Sequence, residues 1–174
     1  MSAIKITIDK FLVIMETAIN VLIYEYYDGL QISIDDEKVE YLIETEEYRS
    51  EQFQIFEKLK TLQTLVEFKY TTRFGTEIEY ETLQVPGSLK RLSISHMEKI
   101  KDVKQLGNIE YLYLEDIAGF KVNWLNLLPK TLKKIDISSL DIENQDEFNK
   151  IIEYFNAHDI EYYIDDYCNY SAEN

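Results

Sequence analysis

The sequence predicts an α/β fold. A short, irregular solenoid carries a parallel β-sheet on one face and helices or turns on the other, behind an N-terminal β-α-β cap. The first observation is a recurrence. Aliphatic or aromatic residues fall near the spacing x-x-L-x-x-L-x-L five times, at starts 20 to 28 residues apart. The clearest copies read Leu89-Lys-Arg-Leu92-Ser-Ile94, Ile109-Glu-Tyr-Leu112-Tyr-Leu114 and Leu132-Lys-Lys-Ile135-Asp-Ile137. Weaker copies are Leu65-Val-Glu-Phe68-Lys-Tyr70 and Ile160-Glu-Tyr-Tyr163. From Leu65 to Leu89, Ile109, Leu132 and Ile160 the offsets are 24, 20, 23 and 28 residues. Periods of roughly 20 to 29 residues belong to a strand plus a returning segment, a unit that buries its apolar face only by stacking on neighbours. The second observation is that the first 35 residues do not fit this period. The third is composition: 45% hydrophobic residues, two Pro and five Gly argue for a folded chain.

Taking the elements in order, Ile4, Ile6 and Ile8 alternate with Lys5 and Thr7, the period of a half-buried strand. Asp9 is placed to cap a helix carrying Phe11, Met15, Ala18 and Leu22, and Gly29 to end it. Leu30, Ile32 and Ile34 then alternate as a second strand. A terminal unit must cover an edge that has no neighbour, so residues 1–38 read as a cap. Residues 39–165 form the repeat region, opened by a degenerate strand at Val39-Glu-Tyr-Leu42-Ile-Glu44. Ser50 is expected to cap a helix with Phe53, Phe56 and Leu59 on one side. Asn144 is expected to cap a helix over Gln145–His158, where Phe148, Ile151, Ile152 and Phe155 fall at i, i+3, i+4 and i+7. The 20-residue spacing from Leu89 to Ile109 leaves room for a turn or a short 3₁₀ segment. Residues 166–174 are an acidic tail, and 1–174 reads as a single domain.

Two segments open alike: Val85-Pro-Gly-Ser-Leu89-Lys-Arg-Leu92-Ser-Ile94 and Leu128-Pro-Lys-Thr-Leu132-Lys-Lys-Ile135-Asp-Ile137. They resemble the Leu-Pro-x-x-Leu-x-x-Leu-x-Ile opening of degenerate leucine-rich repeat proteins of the bacterial effector type. The resemblance spans residues 62 to 142. Pro86 and Pro129 fix φ and bias the preceding residue toward extended backbone, which suits a chain entering a strand. Where the family usually has Asn after the strand, this chain has Met97, Ile117 and Leu140. A flatter stack of irregular repeats is therefore expected. The resemblance implies protein recognition as the usual role.

Charge and residue counts narrow the function. Thirty-three Asp and Glu against 18 Lys and Arg give a net charge of −15. Nucleic-acid affinity rests on Lys and Arg displacing counterions, so no nucleic-acid partner and no anionic membrane are expected. The same field either steers in a basic protein or simply keeps the chain in solution. Cys168 is the lone cysteine, so no internal disulfide forms, and its acidic setting disfavours a reactive thiolate. The apolar stretch Phe11–Ile23 is interrupted by Glu16, Thr17 and Asn20 and is shorter than the ~20 residues of a membrane span; the expected location is cytoplasmic. His96 and His158 stand far apart, and no Gly-rich phosphate loop or nucleophile elbow occurs. Asp141, Glu143 and Asp146 lack the residues of a calcium loop. Carboxylate pairs such as Asp35-Asp36, Glu46-Glu47 and Glu115-Asp116 read as solvated surface in so acidic a chain. No enzyme activity, metal or cofactor is expected.

Strand side chains alternate between faces. With Leu92 and Ile94 directed inward, Arg91, Ser93 and Ser95 face out. The same register sends outward Glu67, Lys69 and Thr71, then Tyr111, Tyr113 and Glu115. Lys134, Asp136 and Ser138 follow, and Tyr162 comes last. The chain holds 14 Tyr, many among carboxylates, as Tyr24, Tyr26 and Tyr27 are around Glu25. Tyr is both a good strand residue and a frequent interface anchor. The expected partner-binding set is Glu67, Lys69, Arg91, Tyr111, Tyr113, Glu115, Asp136 and Tyr162. Together these features predict a non-enzymatic protein-binding module. Its most concrete form is an inhibitor or immunity protein that neutralises a basic toxin domain. The alternative is an effector or adaptor that recruits a cellular partner through the same surface.

Overall fold

The structure, a computed structural model, describes residues 3–26, 29–35, 40–44, 48–72, 82–95, 102–115, 120–138, 140, 142 and 144–165. It is α/β, with an extended, mostly parallel nine-stranded sheet and a few helices. In chain order come β1 (Ile4–Lys5), α1 (Ile8–Met15), β2 (Asn20–Tyr26), β3 (Gly29–Ile34), β4 (Glu40–Glu44) and α2 (Tyr48–Leu59). Then follow β5 (Glu67–Thr71), β6 (Thr82–Gln84), β7 (Arg91–Ser95), β8 (Asp102–Gln105) and β9 (Tyr111–Glu115). A 3₁₀ helix (Val122–Leu127), β10 (Lys134–Ile137), α3 (Gln145–Ala157) and β11 (Glu161–Ile164) complete the described elements. The large sheet is ordered β1-β4-β3-β2-β5-β7-β9-β10-β11, and β6 and β8 form a second, two-stranded sheet.

From β2 to β11 every neighbouring pair in the large sheet is parallel, and from β5 onward the strands follow sequence order. Leu92 pairs with Leu112, and Leu112 with Ile135, as the repeat spacing requires. A backbone device fixes this register. The N–H groups of Lys90 and Arg91 both donate to Val66 O, those of Glu110 and Tyr111 to Lys90 O, and those of Lys133 and Lys134 to Glu110 O. Before each of three strands a tight turn closes: Leu89 N donates to Pro86 O, Ile109 N to Leu106 O and Leu132 N to Pro129 O. Small polar side chains tie turn to turn. Thr64 Oγ1 donates to Ala18 O at 3.1 Å and Thr131 Oγ1 to Ile109 O at 2.9 Å, two equivalent positions; Asn108 Nδ2 reaches Gly87 O at 2.9 Å. Gly107 lies so close beneath the Pro86 carbonyl that a Cβ there would stand 2.7 Å from that oxygen, and its φ of +57° is one that glycine adopts without strain.

The N-terminal part departs from expectation. The helix starts at Thr7, whose side chain accepts from Lys10 N, so Asp9 lies in the first turn instead of capping. It stops at Met15, because the β-branched run Ile19, Val21 and Ile23 favours extended backbone and buries Val21 and Ile23 at strand spacing. Gly29 ends no helix. It opens β3 opposite Glu44, where a Cβ would collide with the Ile43 carbonyl. The strand expected as the first repeat is β4, which runs antiparallel to β3 and parallel to β1 and is separated from β5 by two strands. Val39 lies outside the described residues. Ser50 falls inside α2, and Phe53, expected on its buried side, is 52% exposed while Phe56 and Leu59 are buried. Among the described residues of the Leu89-to-Ile109 return, β8 is followed by a tight turn, and residues 96–101 lie outside them; a 3₁₀ helix occurs one repeat later.

All described helices pack on one side of the sheet. Phe11 and Met15 of α1, Ile55 and Phe56 of α2, and Ile151 and Phe155 of α3 join the inward strand residues in one core. Phe56 meets Phe68 and Tyr70 at ring separations of 5.9 and 5.4 Å, and Phe120 meets Trp124 at 5.6 Å. α3 begins as expected, with Asn144 Oδ1 accepting from Asp146 N and Glu147 N. It ends in a Schellman turn: Ile160 N donates to Phe155 O and Asp159 N to Asn156 O, with Asp159 at φ 59°. No described helix is long and apolar enough to cross a membrane; the stretch from Phe11 to Ile23 is divided between α1 and β2.

Candidate functional site

On the face away from the helices, register aligns the outward residues into rows. One row runs Asn20, Glu67, Arg91, Tyr111, Lys134 and Glu161. The next runs Leu22, Lys69, Ser93, Tyr113, Asp136 and Tyr163. A depression of about 270 Å³ opens across both rows over β5, β7, β9 and β10, with Arg91, Tyr111, Tyr113 and Asp136 among its walls. Ser93 is the small member of its row, and the gap above it separates Lys69 from Tyr113. No described helix contributes to the lining.

Of the expected set, Glu67, Arg91, Tyr111, Tyr113 and Asp136 line this depression. Lys69, on β5, occupies the same face outside the lining, its ammonium 5.5 Å from the Tyr24 ring. Glu115 faces outward at the far end, beside Ser95, which register also turns outward but which is only 2% exposed. Tyr162 is a correction. The helix α3 turn delivers Ile160, not Glu161, to the rung position of Lys133, so Tyr162 pairs with Ile135 and leans on Phe155 at 5.5 Å on the side of the helices, while remaining 36% exposed. Tyr163 takes the outward position beside Asp136 and is 61% exposed. The αL residue Asp159 that shifts the register by one is invisible to a count of apolar spacings.

Charges on the face are largely paired within it. Arg91 sits 3.6 Å from Glu67 and 5.2 Å from the Tyr111 ring, and Lys134 donates to Glu161 at 2.9 Å. That hydrogen bond, with Asp136 and the Glu161 charge, holds the Lys134 ammonium above its ordinary pKa. Along the rim, Glu110 binds Lys133 at 2.6 Å and Lys90 at 3.4 Å, which lowers its carboxyl below the usual range. Asp136 is different. Its Oδ1 is shut off from solvent and accepts no hydrogen bond.

Sequence reading also missed a buried acid on the opposite face. Glu25, at an inward position of β2, is 6% exposed and accepts from Gln52 Nε2 and from the Tyr70 hydroxyl, the latter at 3.1 Å. Burial raises its pKa against the lowering effect of those two bonds. The Tyr70 hydroxyl is pushed well up by its own burial and by the Glu25 charge. Two neighbouring strands with inward Glu and Tyr were the available signal. Among the described residues no group of three or more His, Cys, Asp or Glu is placed to hold a metal ion. His158 caps α3, with Nδ1 2.8 Å from Tyr154 O and its ring stacked on Tyr154. His96, Cys168, Asp141, Glu143, Tyr27, Met97 and Ile117 lie outside the described residues, as does the 166–174 tail.

Compared with protein-family models, curated proteins and solved structures, the chain matches none of them.

Proposed function

We propose that this chain is a non-enzymatic protein-binding module, a short irregular leucine-rich-repeat-like solenoid whose strand face receives a basic protein. Its most concrete role is that of an inhibitor or immunity protein acting on a basic toxin domain inside the cell. The observation that carries the reading is the face itself: in-register strands present Arg91, Tyr111, Tyr113 and Asp136 around one depression, with no described helix over it. Two exposed Tyr supply rigid contact area with polar tips, the usual makings of an interface anchor. A net charge of −15 favours a cationic partner and speeds its approach.

The test is affinity capture from the producing cells with wild-type and Tyr111→Ala/Tyr113→Ala baits, followed by kinetics on the purified partner. The expected partner is basic, its association rate falls as salt rises, and the double substitution weakens binding at least tenfold. Salt-independent association, or unchanged affinity after the double substitution, contradicts the reading. An effector or adaptor would use the same face; a partner whose activity persists in the complex identifies that role over inhibition.

A further inference from the structure

Resting on that reading, we infer that the depression takes the cationic end of an arginine or lysine side chain from the partner, with Asp136 as acceptor and Tyr111 and Tyr113 as walls. Asp136 is set apart from the other carboxylates of this face. Glu67 has Arg91 at 3.6 Å and Glu161 has Lys134 at 2.9 Å, whereas Asp136 Oδ1 is sealed from water and accepts nothing. Lys134, its strand neighbour but one, gives its hydrogen bond to Glu161 and acts on Asp136 only through its charge. A shielded acceptor with no donor costs free energy, and a turn of the Asp136 carboxylate that brings Oδ1 into the depression to meet a guest donor recovers that cost.

Shape and polarity agree. The small Ser93 leaves about 270 Å³ between the two rows, room for a long, thin side chain entering from the solvent side. The Tyr113 ring can cover the methylenes of such a stem and attract its charge through its π face, while the Tyr111 ring, which already has Arg91 5.2 Å from its centroid, adds apolar wall. An anionic guest finds no such welcome. Both cations lining the site, Arg91 and Lys134, are already held by carboxylates, and the net charge repels it.

The probe is N-acetyl-arginine amide, titrated at low salt into the isotopically labelled protein and followed by the backbone amide signals of Ser93, Tyr113 and Asp136. Saturable shifts are expected there. The neutral isostere N-acetyl-citrulline amide should bind at least tenfold more weakly. Asp136→Asn, which keeps shape, should weaken the arginine probe at least fivefold, and Tyr113→Leu, which keeps bulk without the ring, should also weaken it. Equal response to citrulline, shifts confined to other surfaces, or undiminished binding by both variants overturns the inference. With the intact partner the two readings separate. Loss of binding by Tyr111→Ala/Tyr113→Ala with full retention by Asp136→Asn leaves the binding face standing and removes the cation pocket; retention by both removes the face itself.

Discussion

Tyr113 and Asp136 are direct partners on neighbouring parallel strands, while Leu112 and Ile135, one residue earlier on each, are partners on the buried side. One register thus builds a core and a display surface together. A slip by a single residue would exchange the two sets.

Substitution on the two faces should therefore differ sharply in cost. Leu112 is 2% exposed, and Leu112→Ala removes buried methyls and leaves a cavity, at about 2–5 kcal/mol. Tyr113→Ala, on the open face, should cost under about 1 kcal/mol. Urea unfolding of both variants, monitored by circular dichroism, measures the contrast.

Among the described residues two non-glycine residues hold positive φ, and they should respond oppositely to glycine. Asp159 at φ 59° only closes the Schellman turn of α3, so Asp159→Gly relieves backbone strain and should stabilise by about 1 kcal/mol. For a chain of this size that is a rise in Tm of roughly 2–4 °C. Asp35 at φ 53° uses Oδ1 to accept from Ile19 N and Asn20 N, both at 2.7 Å, pinning the start of β2. Asp35→Gly loses both charge-assisted bonds and should lower Tm despite the relieved φ.

How much of this was legible in the sequence depends on the kind of signal. The parallel row from Leu65 to Ile137 could be read from apolar spacing, because each rung needs its own inward pair and the spacing counts rungs directly. The N-terminal helix reads too long because Ala18 and Leu22 continue the helical period of Phe11 and Met15 by coincidence, while the β-branched residues Ile19, Val21 and Ile23 decide for a strand. Tyr162 was assigned to the wrong face because Asp159 adopts the left-handed conformation, a backbone choice that polar residue identity alone does not announce. The ladder of Thr64, Asn108 and Thr131 stands just before three of the five first apolar positions and went unread, since side-chain bonds to a preceding turn require knowing which turns stack.

Glu25 gives a pH signature. Its folded pKa is raised above the unfolded value, so the native state binds more protons across the window between the two. Its contribution is most favourable below the unfolded carboxyl pKa and declines as pH climbs through the folded one. Glu25→Gln cannot ionise and lacks that decline. Chemical unfolding of both proteins from pH 4 to pH 8 should show wild type losing ground to Glu25→Gln as pH rises. A gap that is constant with pH would contradict the buried, acid-favouring site.

The central claim is the stacking of β5, β7, β9 and β10 in sequence order, since the face and its depression exist only in that arrangement. Cross-strand methyl contacts measured by nuclear Overhauser spectroscopy on selectively labelled protein test it most directly. The stack predicts strong contacts from Leu92 to Leu112 and from Leu112 to Ile135, and none of comparable strength from Leu92 to Ile135. Missing Leu92–Leu112 contacts, or Leu92 lying directly against Ile135, would contradict it.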